Sequence, residues 1–286
     1  MKKVKKAVLP VAGFGTRFLP ATKAIPKEML PIIDKPLIEY AVDEAVSAGI
    51  EEIIFITSHT KTAIENHFDT NYELEDKLYK NSKDNFIALI NPEVYKNTRF
   101  TYVRQKSPNG LGDAINHAAH LINDEPFAIL LADDLIFSKE SCLNQLKKVY
   151  ENLGSPVIGV NEVTGEDISK YGVIEPMNID SNIKVNDIIE KPNISEAPSN
   201  LAVVGRYILD SNIFKYLDMV KVDSSNEIQL TDAIKLMLSD HEVFACKYEG
   251  KKFDCGSKKG FVAATLFKGL QDEDISEAIH NLFQKS

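Results

Sequence analysis

Nearly continuous apolar runs that alternate with amphipathic segments constrain the fold of this chain most strongly. In the first half, the apolar runs predict strands at Val4–Val11, Ile53–Thr57, Phe100–Arg104 and Phe127–Leu131. The segments between them predict helices at Pro36–Ala48, Thr62–Phe68 and Leu111–Ile122. Strands without polar alternation are typical of a mostly parallel sheet that helices cover on both faces. The first half therefore predicts an α/β fold.

The second half contains more strands in succession. Further strands are predicted at Val157–Val160, Gly172–Glu175, Val185–Glu190, Leu201–Leu209, Val243–Tyr248 and Lys251–Phe253. Helices are predicted at Ser211–Met219, Glu227–Ser239, Lys258–Leu270 and Ile275–Gln284. Because we find no flexible linker, we expect one compact domain whose sheet becomes mixed in its second half.

Charge and cysteine content limit the classes of function. The 33 Lys and Arg residues against 42 Asp and Glu give a net charge of −9, which argues against nucleic acid as a partner. A local basic pocket for a small polyanion remains compatible with that charge. Three cysteines build no disulfide framework, and no apolar run approaches the roughly 18 residues of a membrane helix. We expect a cytoplasmic protein with no membrane partner.

A glycine-containing loop at residues 11–20 follows the first predicted strand. Ligands bind at this end of the strands in open α/β sheets. Gly13 and Gly15 would let the backbone approach a phosphate, and Arg17 would neutralise it. Taken alone, such a turn is as often purely structural.

Two common nucleotide-binding motifs fail at this loop. A dinucleotide fingerprint requires a third glycine where the chain has Phe18, and a helix that Pro20, Pro26 and Pro31 would break. A Walker loop requires a Gly-Lys-Ser/Thr sequence that is absent here. The cations Arg17, Lys23 and Lys27 on a proline-stiffened loop nevertheless favour a polyphosphate over solvated lysines.

Seven segments together resemble the sugar nucleotidyltransferase family, and within it the bacterial glucose-1-phosphate uridylyltransferases. The matching segments are Leu9–Pro31, Ile64–Asp69, Gly110–Ile115, Glu190–Pro192, Ala197–Tyr207, Glu227–Asp232 and Asp254–Gly256. The resemblance runs from about residue 5 to about residue 270. It implies a Rossmann-like, three-layer α/β nucleotidyltransferase fold with a mixed, mostly parallel central sheet and a smaller, β-rich sugar-binding part.

The resemblance also implies the nucleotide site. Its members are Ala12 and Gly13 beside uracil, Gly15, Thr16 and Arg17 around the triphosphate, Lys27 on the reacting phosphates, and Gln105 and Gly110 at the base. A side-chain amide such as that of Gln105 offers the donor and the acceptor that the imide edge of uracil requires.

A metal site is implied by two acidic residues in distant segments. Asp133 and Asp254 match the family's Mg²⁺ ligands, and two carboxylates that meet at a triphosphate suit this ion. Asp134 follows Asp133 directly, so the sequence leaves open which of the two is the ligand. The alternative role for adjacent carboxylates is to cap the following segment.

Five further positions match the family's sugar-phosphate site: Gly172, Glu190, Lys191, Val203 and Gly205. A carboxylate such as Glu190 can accept hydrogen bonds from sugar hydroxyls, and Lys191 can pair with the 1-phosphate. Without the resemblance, Glu190 and Lys191 would be an ordinary charge pair at the end of a strand.

The resemblance implies a reaction of UTP with glucose 1-phosphate that gives UDP-glucose and pyrophosphate. Arg17, Lys27 and Lys191 would be the catalytic residues, with Mg²⁺ as cofactor. We expect a single domain over residues 1–270, with a nucleotide-binding half at about 1–155 and a sugar-phosphate half at about 156–256. The helices at 257–286 are candidates for the contact of a homodimer or homotetramer.

Three alternative functions are a thymidylyltransferase, an oxidoreductase and a nucleotide sensor. A thymidylyltransferase for glucose 1-phosphate would share the architecture, and one methyl group on the base changes binding by only about 1–3 kcal/mol. A dinucleotide-dependent oxidoreductase is disfavoured by the missing third glycine. A non-catalytic nucleotide sensor would retain Gly13, Gln105 and Gly110 but lose Lys27, Asp133 and Asp254, which are all present.

Overall fold

A computed structural model describes residues 2–179, 181–222 and 226–284. Of the predicted ranges, residues 1, 180, 223–225 and 285–286 lie outside the described residues. The strands are β1 (Lys6–Pro10), β2 (Pro31–Ile32), β3 (Lys35–Pro36), β4 (Glu52–Thr57), β5 (Arg99–Arg104), β6 (Phe127–Leu130), β7 (Asp134–Phe137), β8 (Val157–Glu162), β9 (Gly172–Ile179), β10 (Asn182–Glu190), β11 (Leu201–Leu209), β12 (Phe244–Lys247) and β13 (Lys251–Asp254).

The helices that bury an apolar face coincide with predicted helices, apart from the one at Cys142–Leu153. They are α1 (Leu37–Ser47), α2 (Thr62–His67), α3 (Tyr72–Lys80), α4 (Asp84–Ile90), α5 (Leu111–Asn116), α6 (Cys142–Leu153), α7 (Ile213–Leu217), α8 (Leu230–Met237), α9 (Lys258–Gly269) and α10 (Glu273–Gln284). No helix within residues 2–179, 181–222 and 226–284 is both long and apolar enough to cross a membrane.

One nine-stranded sheet runs through both halves, in the order β5-β4-β1-β6-β11-β8-β12-β10-β9. The strands β5, β4, β1 and β6 are parallel neighbours, whereas β11 is antiparallel to both β6 and β8. Among the described strands of this sheet, only β10 and β11 run against the others. The predicted mixed, mostly parallel sheet is confirmed.

Helices cover both faces of this sheet. Side chains that alternate along the strands divide between two apolar clusters: Val8 and Ile54 pack with residues of α5, α7 and α8, and Leu9 and Phe55 pack with residues of α1, α2 and α6. This is the predicted three-layer arrangement. It places the carboxyl ends of β1, β4, β5 and β6 at one edge, where the loops that follow them meet.

Some elements differ from the prediction. The helix predicted at Leu111–Ile122 ends at Asn116 and continues as turns. Helices α3 and α4 occupy a polar stretch for which no element is predicted, and none of their residues is buried. Helix α6 and strand β7 are also absent from the prediction.

Arg206 of β11 forms hydrogen bonds with α1 and with the loop after β6. Arg206 lies where the pairing of β11 with β8 is irregular, between Val203 and Tyr207. Its side chain is buried, with 1% exposed. Nη2 and Nε donate to Oε2 of Glu44 in α1 at 2.8 and 3.0 Å. Further N–H groups donate to the main-chain oxygens of Leu131, Gly205 and Asp134 at 2.9–3.0 Å. Arg206 thereby connects α1, β11 and the loop after β6.

We predict that Arg206→Met lowers the free energy of unfolding by about 3–5 kcal/mol, because Glu44 keeps a buried charge without its cation. Urea unfolding followed by circular dichroism measures this loss. Lys247→Met is the matched control, because Lys247 and Glu162 form a half-exposed ion pair and such pairs contribute about 1 kcal/mol or less. Equal losses in the two variants would contradict the prediction.

Candidate active site

A cavity of about 430 Å³ opens at the carboxyl ends of β1, β5 and β6 and extends to the strands of the second half. Most of the predicted site residues line it: Ala12, Gly13, Gln105, Gly110, Asp133, Gly172, Glu190, Lys191, Val203, Gly205 and Asp254. The structure thus brings the predicted base, metal and sugar-phosphate positions into one cavity.

Gly15, Thr16, Arg17 and Lys27 do not line this cavity; they lie on the adjoining loop after β1. Gly15 has a φ of 65°, and a Cβ there would lie 3.1 Å from the Cβ of Lys27. Thr16 is exposed, and Nη1 of Arg17 donates weakly to the carbonyl oxygen of Gly256 at 3.4 Å. Lys27 contacts Asp133, which lines the cavity. These residues therefore form a rim beside the cavity.

Lys27 and Asp133 form an ion pair with 2.7 Å between Nζ and Oδ2. Burial disfavours the charged form of both groups. The attraction of Asp133 and Glu28 outweighs that burial and raises the pKa of Lys27, and the attraction of Lys27 likewise lowers the pKa of Asp133. Both groups are therefore charged at neutral pH, and a cation is held beside the metal position.

A second ion pair, fully buried, lies behind Lys27. Glu28, the next residue in the same short 3-10 turn, accepts a hydrogen bond from Nζ of Lys61 at 2.8 Å, and the two residues are 2% and 4% exposed. Lys61 immediately precedes α2, so this pair ties the loop after β1 to the loop after β4. No sequence pattern marks this pair, since its members are 33 positions apart.

Asp133 and Asp134 have different environments. Oδ2 of Asp134 accepts the backbone N–H of Gly205 at 2.7 Å, and Oδ1 lies 3.0 Å from Nζ of Lys252. Gly205 must be glycine here because a Cβ would lie 2.5 Å from the Cβ of Leu131. Both carboxylate oxygens of Asp134 therefore bind structural partners, one on β11 and one on β13. Asp133 is the more suitable metal ligand of the two.

Asp133 and Asp254 approach each other across Gly256. The point where a Cβ of Gly256 would lie is 2.9 Å from Oδ2 of Asp133 and 3.0 Å from Oδ1 of Asp254. Burial and the negative charges of Asp134 and Asp133 raise the pKa of Asp254, as expected for carboxylates that a cation would stabilise.

This pair of carboxylates fits Mg²⁺ and does not fit a metal held by protein alone. Within the described residues, no group of three or more His, Cys, Asp or Glu side chains is arranged around a metal position. Mg²⁺ is usually held by one or two carboxylates together with substrate phosphates and water. The donor set suits that ion in the presence of a nucleotide.

Glu190, Lys191 and Gly172 form the opposite end of the cavity. Oε1 of Glu190 lies 3.1 Å from Nζ of Lys191, and Oε2 accepts the hydroxyl of Thr231 at 2.7 Å. Lys191 has a φ of 45°, and its N–H donates to the carbonyl oxygen of Tyr171 at 3.1 Å. A Cβ on Gly172 would lie 3.1 Å from Oγ1 of Thr231. This end offers oxygens for hydroxyl groups and one ammonium for an anion.

Several cavity residues have no assignment from sequence. They include Tyr171, Thr231 and Leu230, and Thr231 belongs to the segment Glu227–Asp232, which matches the family without an assigned role. That segment could have been connected to the site only through its neighbours in space: a Cβ on Gly110 would lie 2.6 Å from the carbonyl oxygen of Ile228.

Comparison with known proteins identifies the family. The model of the family described as "Nucleotidyl transferase" matches residues 6–269. The chain belongs to the nucleotidyl transferase family. A relative named UTP–glucose-1-phosphate uridylyltransferase, from Staphylococcus epidermidis, is 49% identical over 278 residues, which are 97% of this chain and 96% of the relative.

Solved structures of family members agree. A UDP-glucose pyrophosphorylase complexed with UDP-glucose has a TM-score of 0.84 and 43% identity, covering 93% of this chain and 98% of that chain. A UTP-bound relative from Acinetobacter baumannii has a TM-score of 0.89 and 40% identity, with 99% of each chain covered. A thymidylyltransferase from Bacillus anthracis is similar in fold alone, with 22% identity and a TM-score of 0.72.

Proposed function

We propose that this protein transfers the uridylyl group of UTP to glucose 1-phosphate and releases pyrophosphate. The observation that carries the proposal is the single cavity in which Gln105 and Gly110, suited to a base, face Glu190 and Lys191, suited to a sugar phosphate. Relatives that share nearly half of the residues over almost the whole chain carry the name of this activity.

The reaction requires neutralisation and alignment of two polyanions. The phosphate of glucose 1-phosphate is largely ionised near neutral pH, so no protein base is needed to make its oxygen nucleophilic. Glu190 accepts the sugar hydroxyls and Lys191 pairs with the 1-phosphate. Lys27 and Arg17 neutralise the phosphates of UTP, so that the nucleophile can attack the α-phosphate in line with the leaving pyrophosphate.

We propose Asp133 and Asp254 as the holders of Mg²⁺. The closeness of the two carboxylates supports this assignment: both lie within 3.0 Å of the place that a Cβ of residue 256 would fill, and Gly256 leaves that place open. A bound Mg²⁺ would neutralise phosphate charge that develops during transfer. Asp134 is excluded from this role in the proposal because Gly205 and Lys252 occupy its carboxylate.

The proposal extends to compartment and assembly. Three free, buried cysteines are compatible with a reducing cytoplasm. Val262 and Leu266 lie one turn apart on α9, and Leu270 directly follows that helix. Their exposed fractions of 55%, 38% and 48% support self-association as a homodimer or homotetramer through the C-terminal helices.

The first experiment measures pyrophosphate release with glucose 1-phosphate and Mg²⁺, comparing UTP, dTTP, ATP and CTP. We expect a strong preference for UTP and loss of release on addition of EDTA. Comparable rates with dTTP would indicate a thymidylyltransferase instead. No release with any nucleotide would refute the proposed activity and favour a nucleotide sensor.

We predict that Lys27→Ala lowers kcat by about 100-fold or more, because it removes one charged donor from the reacting phosphates. Steady-state pyrophosphate release measures the change. Lys23→Ala is the matched control: Lys23 is an exposed lysine on the same loop and lacks the ion pair with Asp133 that Lys27 forms. Near-normal turnover of Lys27→Ala would remove Lys27 from the mechanism.

We predict that Asp133→Asn depresses Mg²⁺-dependent activity far more than Asp134→Asn does. The first variant removes a carboxylate from the proposed Mg²⁺ site, whereas the second weakens the hold on Gly205 and Lys252 and should lower thermal stability. A titration of activity with Mg²⁺, together with melting curves, separates the two effects. The opposite ranking in the Mg²⁺ titration would assign the metal to Asp134.

A further inference from the structure

We propose that Asp113 makes the site select uracil over cytosine by fixing the orientation of the Gln105 amide. The proposal rests on the function proposed above and adds a residue that determines base specificity. Asp113 lies in the first turn of α5, directly after the loop that carries Gly110.

The key contact is between two side chains. Nε2 of Gln105 donates a hydrogen bond to Oδ2 of Asp113. An ionised carboxylate can only accept hydrogen bonds, so the amide nitrogen of Gln105 must face Asp113 and the amide oxygen must face away from it. Gln105 is 5% exposed and lines the cavity, so burial also restricts its alternatives.

Asp113 has one other polar neighbour, His117, which does not displace Gln105. Nδ1 of His117 lies 2.8 Å from the main-chain oxygen of Asp113 and 3.8 Å from its Oδ2. The hydrogen bond of the carboxylate therefore goes to Gln105. Within residues 2–179, 181–222 and 226–284, Oε1 of Gln105 has no hydrogen-bond partner.

Gly110 supplies a second fixed group beside Gln105. Its φ of 101° favours glycine, and two backbone hydrogen bonds of 2.8 Å hold the loop against Ile228: Ile228 N–H to the oxygen of Asn109, and Gly112 N–H to the oxygen of Ile228. Among the described residues, the N–H of Gly110 finds no acceptor. The cavity thus presents an amide oxygen and a backbone N–H, one acceptor and one donor.

This pattern matches uracil and opposes cytosine. Uracil carries an N3–H donor between two carbonyl acceptors, whereas N3 of cytosine is an acceptor beside an amino donor. Oε1 of Gln105 would accept from N3–H of uracil but would face the lone pair of N3 in cytosine. A glutamine free to rotate by half a turn could present Nε2 to cytosine instead. Asp113 prevents that rotation. Discrimination between uracil and cytosine therefore depends on Asp113, although Gln105 is the residue that contacts the base.

The test compares kcat/KM for UTP and CTP in variants of this pair. Asp113→Asn has nearly the same shape but can donate as well as accept, so it releases the Gln105 amide. We expect the UTP to CTP ratio of kcat/KM to fall on the order of tenfold or more, mainly through KM. Asp218→Asn is the matched control, because Asp218 accepts from Asn116 of the same helix.

A double variant distinguishes a specificity role from a structural one. In Gln105→Glu with Asp113→Asn, donor and acceptor exchange places, and an oxygen still faces the base. We expect this variant to regain discrimination against CTP relative to Asp113→Asn alone. Melting curves of all variants report loss of structure separately from the nucleotide ratio.

The outcomes separate this inference from the function it rests on. If the unmodified protein releases no pyrophosphate from UTP, the proposed function fails and this inference fails with it. If it uses UTP but Asp113→Asn keeps the same UTP to CTP ratio, the function stands and the role of Asp113 is refuted. A ratio that falls equally in Asp113→Asn and in the double variant would also overturn it.

Discussion

The buried guanidinium of Arg206 is the interaction on which the site most depends. It fills an irregularity in β11 and satisfies its donors with Glu44 and three main-chain oxygens. Two of those oxygens, of Leu131 and Asp134, flank Asp133 in sequence. Because the loop after β6 is held on both sides of Asp133, the position of its carboxylate does not depend on the ion pair with Lys27 alone.

A similar division of labour recurs along the edge of the sheet. Glu28 and Lys61 neutralise each other in the interior, and Asp134 is occupied by Gly205 and Lys252. In each case a charged residue adjacent in sequence lies at the cavity or at its rim: Asp133 lines the cavity, and Lys27 pairs with it from the rim. Of two neighbouring residues, one thus holds the loop in place and the other is left for the proposed chemistry. Lys27 and Asp133 remain charged because each is the counter-ion of the other.

Most of the fold could be predicted from sequence because burial leaves a pattern. β1, β4, β6 and β11 are mostly apolar and almost entirely buried, and α1 repeats its buried residues every three or four positions. Helices α3 and α4 bury no residue, so no apolar pattern marks them. The resemblance to the family gave many of the residues that line the cavity, but it assigned no role to Tyr171, Leu230 or Thr231. It could not give the pairs Glu28–Lys61 or Arg206–Glu44, since their partners are distant in sequence and meet only after the sheet has formed.

The backbone of Lys191 carries a further consequence. With a φ of 45°, it occupies a left-handed conformation that favours glycine and costs other residues about 1–3 kcal/mol. A glycine would relieve this strain and would also remove the ammonium that lies 3.1 Å from Glu190 in the cavity. The strained backbone that follows β10 therefore lowers stability while it directs the Lys191 ammonium toward Glu190. At this position, greater stability and the proposed catalytic role of Lys191 would favour different residues.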